Sequence, residues 1–180
     1  MSYCNYCLLP DAKEVHVNYH NHAYGFPIHS DNELFGRLVL EINQAGLSWE
    51  IILKKQKYFE LAFDGFNIEK VANYGEADFN RLVNDERIIR NKLKINAAIH
   101  NARAILQIQR EFGSFKNWLD TEHPKTKVEW VKLFKTRFKF VGGEIVNEFL
   151  MSTGYLKGAH DENCPVFEKI KKEKPKWMEV

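Results

Sequence analysis

No stretch of this sequence approaches the roughly 20 consecutive apolar residues that a membrane-crossing helix needs, and its start carries no basic-then-apolar leader. The expectation is a cytoplasmic protein with no membrane contact. Charge of one sign is also missing: 26 Lys and Arg face 24 Asp and Glu, for a formal net charge of +2. That excludes a uniformly basic nucleic-acid binder, so any DNA surface must come from local segregation of charge. Three cysteines cannot all pair with one another. With seven histidines beside them, they suit a reducing compartment and favour metal ligation over a disulfide framework. Low-complexity tracts, Pro/Gly linkers and internal repeats are absent as well, which favours one cooperative unit. Alternating polar and apolar residues are scarce; only Phe138–Val141 reads as a strand.

Apolar bulk, by contrast, is plentiful. Thirteen Phe, 7 Tyr and 4 Trp can fill a core, which rules out wholesale disorder. The apolar positions recur at helical spacing. From Asn32 to Lys55 they fall at Leu34, Phe35, Leu38, Val39, Ile42, Trp49, Ile52 and Leu53, with Gly46 as the break. Glu69–Ala72 and Glu76–Val83 predict short helices. Lys94–Arg110 predicts a long one, striped by Ile95, Ala98, Ile99, Ala102, Ile105 and Leu106. Gly142–Thr153 predicts another, and Trp118–Phe138 reads as a linker. The expected fold class is all-α.

Cysteines and histidines gather at the two ends. His160 and Cys164 are four apart, a spacing that on one helical turn points both side chains at one ion. Near the start lie Cys4, Cys7, His16, His20 and His22. Zinc takes four N or S ligands in a tetrahedron, so two from each end would staple the termini together. Spacing leaves two ligand sets open. One is Cys4, His20, His160 and Cys164; the other puts Cys7 in place of His20. Scattered surface histidines and buried free thiols explain the same residues without a metal, and a thiol redox site at Cys4-x-x-Cys7 is a further alternative.

The segment LEINQAGLSWEIILKK sets Glu41, Asn43, Gln44, Ser48 and Trp49 in an otherwise apolar helical region. Singly, each is bland: Trp49 as core, Glu41 as a solvated acid. Together they offer an aromatic face and a carboxylate, the pair that a planar cationic base requires.

Here the sequence resembles the DNA-3-methyladenine glycosylase I family, a zinc-containing group among the helix-hairpin-helix glycosylases. The resemblance runs over nearly the whole chain through ordered motifs. These are Cys4, YHNHAYGFP at Tyr19–Pro27, QAGLSW at Gln44–Trp49, RIIRNKLKINAAIHNA at Arg87–Ala102, FKFVG at Phe138–Gly142, and His160 with Cys164. The resemblance implies a helix-hairpin-helix glycosylase fold and one structural zinc on Cys4, His20, His160 and Cys164. It implies a base pocket with Glu41 as the catalytic acid residue and with Trp49, Tyr19, Tyr24 and His16 binding the base. The implied activity is hydrolytic excision of 3-methyladenine, an N3-alkylated purine, after its nucleotide is flipped out. The sequence departs from the family pattern at Asn21, His22, Ala23 and Tyr24, at His16 where a Tyr is expected, at Arg87 where a hairpin Gly is expected, and at Asn147 and Met151.

Between Arg87 and Arg110 there are six Arg or Lys residues and no acid. A solvated basic helix face would look the same. With the hairpin motif, the stretch becomes the expected DNA surface, contacted through Arg90, Asn91, Lys92 and Lys94, since hairpin amides and flanking cations bind phosphate. Lys132, Lys135, Arg137 and Lys139 would extend it. The resulting expectation is a monomeric repair glycosylase acting on double-stranded DNA with an alkylated base; a zinc-stapled helical DNA-binding module without activity is the alternative. Residues 1–180 form a single catalytic unit in this reading. Within it, about 1–30 and 155–180 make a zinc-closed lobe, and 31–154 make a helical body with its hairpin near 87–96.

Overall fold

The computed structural model describes residues 1–179. Among them are eleven α-helices, two short 3-10 turns and no strand. The helices are α1 (Tyr3–Cys7), α2 (Glu14–His22), α3 (Asp31–Gln44), α4 (Trp49–Ala62), α5 (Ile68–Ala72), α6 (Glu76–Val83), α7 (Lys92–Phe112), α8 (Phe115–Glu122), α9 (Lys127–Arg137), α10 (Gly143–Ser152) and α11 (Phe167–Lys172). None among the described residues is long and apolar enough to cross a membrane.

Local chemistry starts and stops these helices where the tertiary fold needs them. Ser30, Asn91 and Ser114 each accept a backbone N–H from the first turn of α3, α7 and α8, and Thr126 with Glu129 closes a reciprocal cap on α9. Gly113, at φ +86°, ends α7. The expected break at Gly46 is present: α3 stops at Gln44, Gly46 takes φ +80°, and α4 starts at Trp49. α3 buries Leu34, Phe35, Leu38, Val39 and Ile42, and α7, the long spine, buries Ile95, Ala98, Ala102, Ile105 and Ile108. Around them pack Phe115, Trp118, Phe134, Phe138 and Phe149, rings of one cluster from α8, α9, the turn after α9, and α10. A smaller, separate cluster of Cys4, Cys164, Val166, Phe167 and Ile170 joins the two termini.

Three expectations fail in detail. Phe138–Val141 is a bend rather than a strand. Its backbone polar groups are satisfied by the Asn101 side chain, which donates to the Lys139 carbonyl at 3.1 Å and accepts the Lys139 N–H at 2.8 Å. The alternation of Phe138, Lys139 and Phe140 does not carry into burial: Phe138 and Val141 are buried, while Phe140, at φ +59°, is exposed. Trp118–Phe138 is no linker: it holds the end of α8 and all of α9, whose buried face is only Trp130 and Phe134, four apart, too narrow a stripe to stand out among lysines. His160 and Cys164 lie on a turn, closed by Cys164 N–H to Asp161 O at 2.9 Å, and not on a helix.

One glycine is required by packing. Phe66, itself at φ +56°, lies across α3 so closely that a Cβ at Gly36 would stand 2.5 Å from its ring. Overpacking of this kind costs about 1–3 kcal/mol, against a helix-propensity gain of about 1 kcal/mol for replacing a helical glycine with alanine. Gly36→Ala is therefore expected to destabilise the protein by about 1 kcal/mol, read as a lower urea midpoint at unchanged slope.

Candidate active site

Five structural elements converge on one small hollow. α2 and the turn after it bring Tyr19 and Tyr24, α3 brings Glu41 and Gln44, α4 opens with Trp49, α1 adds Tyr3, and α10 adds Glu148. The cavity has about 280 Å³ of free space, close to the small end of ligand pockets, about 300–1,000 Å³. Its walls are aromatic. Tyr19 meets Trp49 edge-on at 5.3 Å and Tyr24 at 5.5 Å, and Tyr3 stands edge-on to Tyr24 at 5.5 Å. Gln44 holds the lip by donating to the Leu47 carbonyl at 3.0 Å.

Two acids face this aromatic box. Glu41 is only 4% exposed. Burial pushes its carboxyl up to about 8; the Glu148 carboxylate adds to the rise, while the Arg37 guanidinium and the Ser152 hydroxyl oppose it. Burial thus favours the neutral form of the Glu41 carboxyl. Glu148 accepts from the Tyr24 hydroxyl at 3.2 Å, and its carboxyl is also raised by burial. Arg37 is anchored elsewhere: it donates to the Tyr19 hydroxyl and to the Ser152 carbonyl, both at 3.2 Å, with its guanidinium 5.2 Å from the centre of the Tyr19 ring. A buried acid, stacking faces and a cation-poor interior suit a flat ligand that carries its own positive charge.

Behind this wall, Cys4, His20, His160 and Cys164 are all buried, with their ligand atoms within 4.8 Å of one another. Cys4 and Cys164 Sγ each lie 3.5 Å from His160 Nδ1, and Cys164 Sγ lies 3.6 Å from His20 Nε2. A tetrahedron with bonds of about 2.0–2.3 Å has edges of roughly 3.3–3.8 Å, so the four atoms are spaced to hold one metal ion. The second ring nitrogens are also engaged: His160 Nε2 donates to the Tyr24 carbonyl at 2.8 Å, and His20 Nδ1 donates to the Asn21 side-chain oxygen at 2.7 Å. Each imidazole is thus held in the tautomer that frees its metal-facing nitrogen. Cys7 is buried but outside the cluster, so the ligand set with Cys7 in place of His20 fails.

A model of the methyladenine glycosylase family matches residues 10–131 of the chain. DNA-3-methyladenine glycosylase 1 of Escherichia coli (strain K12) is 34% identical, over 83% of this chain and 90% of its own length. DNA-3-methyladenine glycosylase of Haemophilus influenzae is 28% identical over 88% and 96%. The chain belongs to the methyladenine glycosylase family. Its fold agrees. The structure of 3-methyladenine DNA glycosylase I from Staphylococcus aureus, solved for its recognition of 3-methyladenine, superposes with a TM-score of 0.82 at 33% identity, covering 92% of this chain and 97% of that one. A Tyr-to-Phe variant of a 3-methyladenine DNA glycosylase I in complex with 3-methyladenine gives 0.81 at 32% identity, over 90% and 97%.

For a member of this family, several expected positions behave differently. His16 does not line the cavity. Its Nδ1 bonds the Tyr3 hydroxyl at 3.0 Å, so it stands behind Tyr3, which is the ring that reaches the pocket. Lys94 is withdrawn from the DNA surface: it is buried, and its Nζ donates to the Asn43 and Ala45 carbonyls at 2.9 and 2.7 Å, satisfying the end of α3. Asn91 is exposed, but its side-chain oxygen is engaged as the cap of α7. Arg87 lies outside the left-handed region, so no strain marks the missing hairpin glycine; its guanidinium grips Asp85 with two bonds of 2.9 Å. Of the expected contacts, Arg90 and Lys92 remain exposed cations, Arg90 only loosely paired with exposed Glu86 at 3.7 Å.

Tyr3, Arg37 and Glu148 were not found from sequence. Tyr3 could have been, as the neighbour of a ligand cysteine. Glu148 could have been, as a lone acid within the apolar run IVNEFLM.

Replacing both Arg90 and Lys92 with Ala is expected to flatten the salt dependence of DNA binding by about one to two units of log–log slope. Lys94→Met is expected to leave that slope unchanged and to lower stability by about 2 kcal/mol, since it strips two carbonyls of their donor. A slope that responds to Lys94 alone would reverse this assignment.

Proposed function

We propose that this glycosylase excises 3-methyladenine from double-stranded DNA in base excision repair, with Glu41 as the acid that reads the flipped base. The observation that carries the reading is the buried Glu41 carboxyl inside an aromatic box, in a chain of the methyladenine glycosylase family that is similar to a 3-methyladenine DNA glycosylase I solved in complex with 3-methyladenine. Alkylation at N3 places positive charge on the purine and weakens its bond to the sugar. On breakage, the N9–C1′ electron pair leaves with the base, which becomes neutral. Water adds at C1′ and loses a proton, giving an abasic site. The work left to the protein is selection and positioning. Trp49, Tyr19 and Tyr24 stack against the base, and its positive charge favours the ionised form of Glu41, whose proton passes to solvent and whose carboxylate then accepts hydrogen bonds from the base.

Zinc is the proposed metal for the Cys4, His20, His160 and Cys164 set, because two thiolates and two imidazoles at tetrahedral spacing match its chemistry. A zinc ion held by four protein ligands has no open position, so its role is structural. The proposal extends to a monomer acting as one catalytic unit. In it, the terminal segments form the metal-closed lobe over a helical body, with a hairpin between α6 and α7 meeting the phosphates through Arg90 and Lys92.

Purified protein incubated with methylated duplex DNA is expected to release free 3-methyladenine. Glu41→Gln should lower kcat/KM by about 10- to 100-fold, the scale of one charge-assisted hydrogen bond. No release above background by the wild-type protein would leave the inactive DNA-binding module as the better description.

Elemental analysis is expected to find about one zinc per chain. Cys7→Ser should retain it and His160→Ala should lose most of it. The opposite pattern would disprove the ligand set.

A further inference from the structure

The aromatic pocket contains a second acid with no role in the reading above. Glu148 projects from α10 into the same hollow that Glu41 enters from α3. An ordinary surface acid on an amphipathic helix would find a lysine. Lys127, whose charge reaches Glu148, instead pairs at 2.9 Å with Glu144, one turn earlier on α10. Glu148 is held inward by the Tyr24 hydroxyl.

We infer that Glu148 is a specificity-determining residue: together with Glu41 it makes the pocket select a base that carries positive charge over neutral purines of the same shape. The inference rests on the glycosylase reading. Tyr3, Tyr19, Tyr24 and Trp49 can stack on any purine face, so the walls supply affinity with little discrimination by charge. Discrimination must come from groups that respond to charge. Facing Glu148 are Tyr3 from α1, Tyr19 and Tyr24 from α2 and its following turn, and Glu41 from α3. Lys127 from α9 and Glu144 and Asn147 on its own helix complete its surroundings. Arg37, the cation nearest in sequence to Glu41 on α3, is committed to Tyr19 and Ser152. Burial raises both carboxyls and the Glu148 carboxylate raises Glu41 further, so two negative charges in one small aromatic hollow are costly. The positive charge of a cationic base offsets both carboxylates at once, whereas a neutral base offers no such compensation.

Glu148→Gln tests this, because the amide keeps the shape and still accepts from Tyr24. On duplex DNA carrying 3-methyladenine, KM is expected to rise about tenfold, the scale of one lost charged contact. Inhibition by undamaged competitor duplex, whose bases are neutral, should stay at the wild-type value. The rise of kcat/KM with pH should move to lower pH, because Glu41 loses a negative neighbour and ionises more readily. Glu148→Asp should restore most of the KM and the wild-type pH profile. Wild-type KM and pH profile in Glu148→Gln would overturn the inference, as would an equal loss toward damaged and undamaged DNA, which marks a structural role. Failure of the wild-type protein itself to release base would overturn the glycosylase reading, a result distinct from either of these.

Discussion

The base pocket depends on a clamp made at the two ends of the chain. Two thiols and two imidazoles, from Cys4 and His20 at one end and His160 and Cys164 at the other, come within 4.8 Å of each other in a buried cluster. Three of the pocket's four aromatic walls are tied to it directly. Tyr3 precedes Cys4, Tyr19 precedes His20, and the Tyr24 carbonyl takes the second N–H of His160. The convergence adds to the packing of Tyr19 and Tyr24 against Leu53 and Trp49 of α4 and to their hydrogen bonds with Arg37 and Glu148. A constraint distant from the reacting atoms thus sets the geometry around them.

The second constraint is electrostatic. Burying a carboxyl among aromatic rings costs free energy, and that burial raises the Glu41 carboxyl to about 8. Arg37 moderates the effect without cancelling it, because its donors are turned to Tyr19 and Ser152. The same bookkeeping explains why the near-neutral total charge is no obstacle to DNA binding. Much of the basic stretch from Arg87 to Arg110 is already engaged: exposed Arg87 pairs with Asp85, buried Lys94 holds the end of α3, and Arg103 donates to the carbonyls of Ala72 and Tyr74. The cations left over at the hairpin are few and local.

Helices with wide apolar stripes were readable along the chain, since α3, α4 and α7 carry their own periodicity and stop signals. α9 was not, because its buried face is two aromatic residues within a lysine-rich segment. The bend at Phe138–Val141 imitated a strand because Phe-Lys-Phe alternates in residue type, yet its hydrogen bonds go to a side chain on α7, a partner some 38 positions away. His16 shows the same limit at the site. Sequence order put it three residues from Tyr19, but only packing reveals that Tyr3 lies between it and the cavity.

What the chain alone specified was its class and its chemistry. The 3.6-residue period required helices, and the ordered motifs from Cys4 to Cys164 identified the family. Motifs persist in a sequence because residue type carries the chemistry. The tertiary structure decided which residues share that chemistry: Tyr3 rather than His16 at the pocket wall, Lys94 inside rather than on DNA, and Glu148 opposite Glu41. Each of those choices depends on burial and on contacts between positions far apart in sequence. Local periodicity has no term for either.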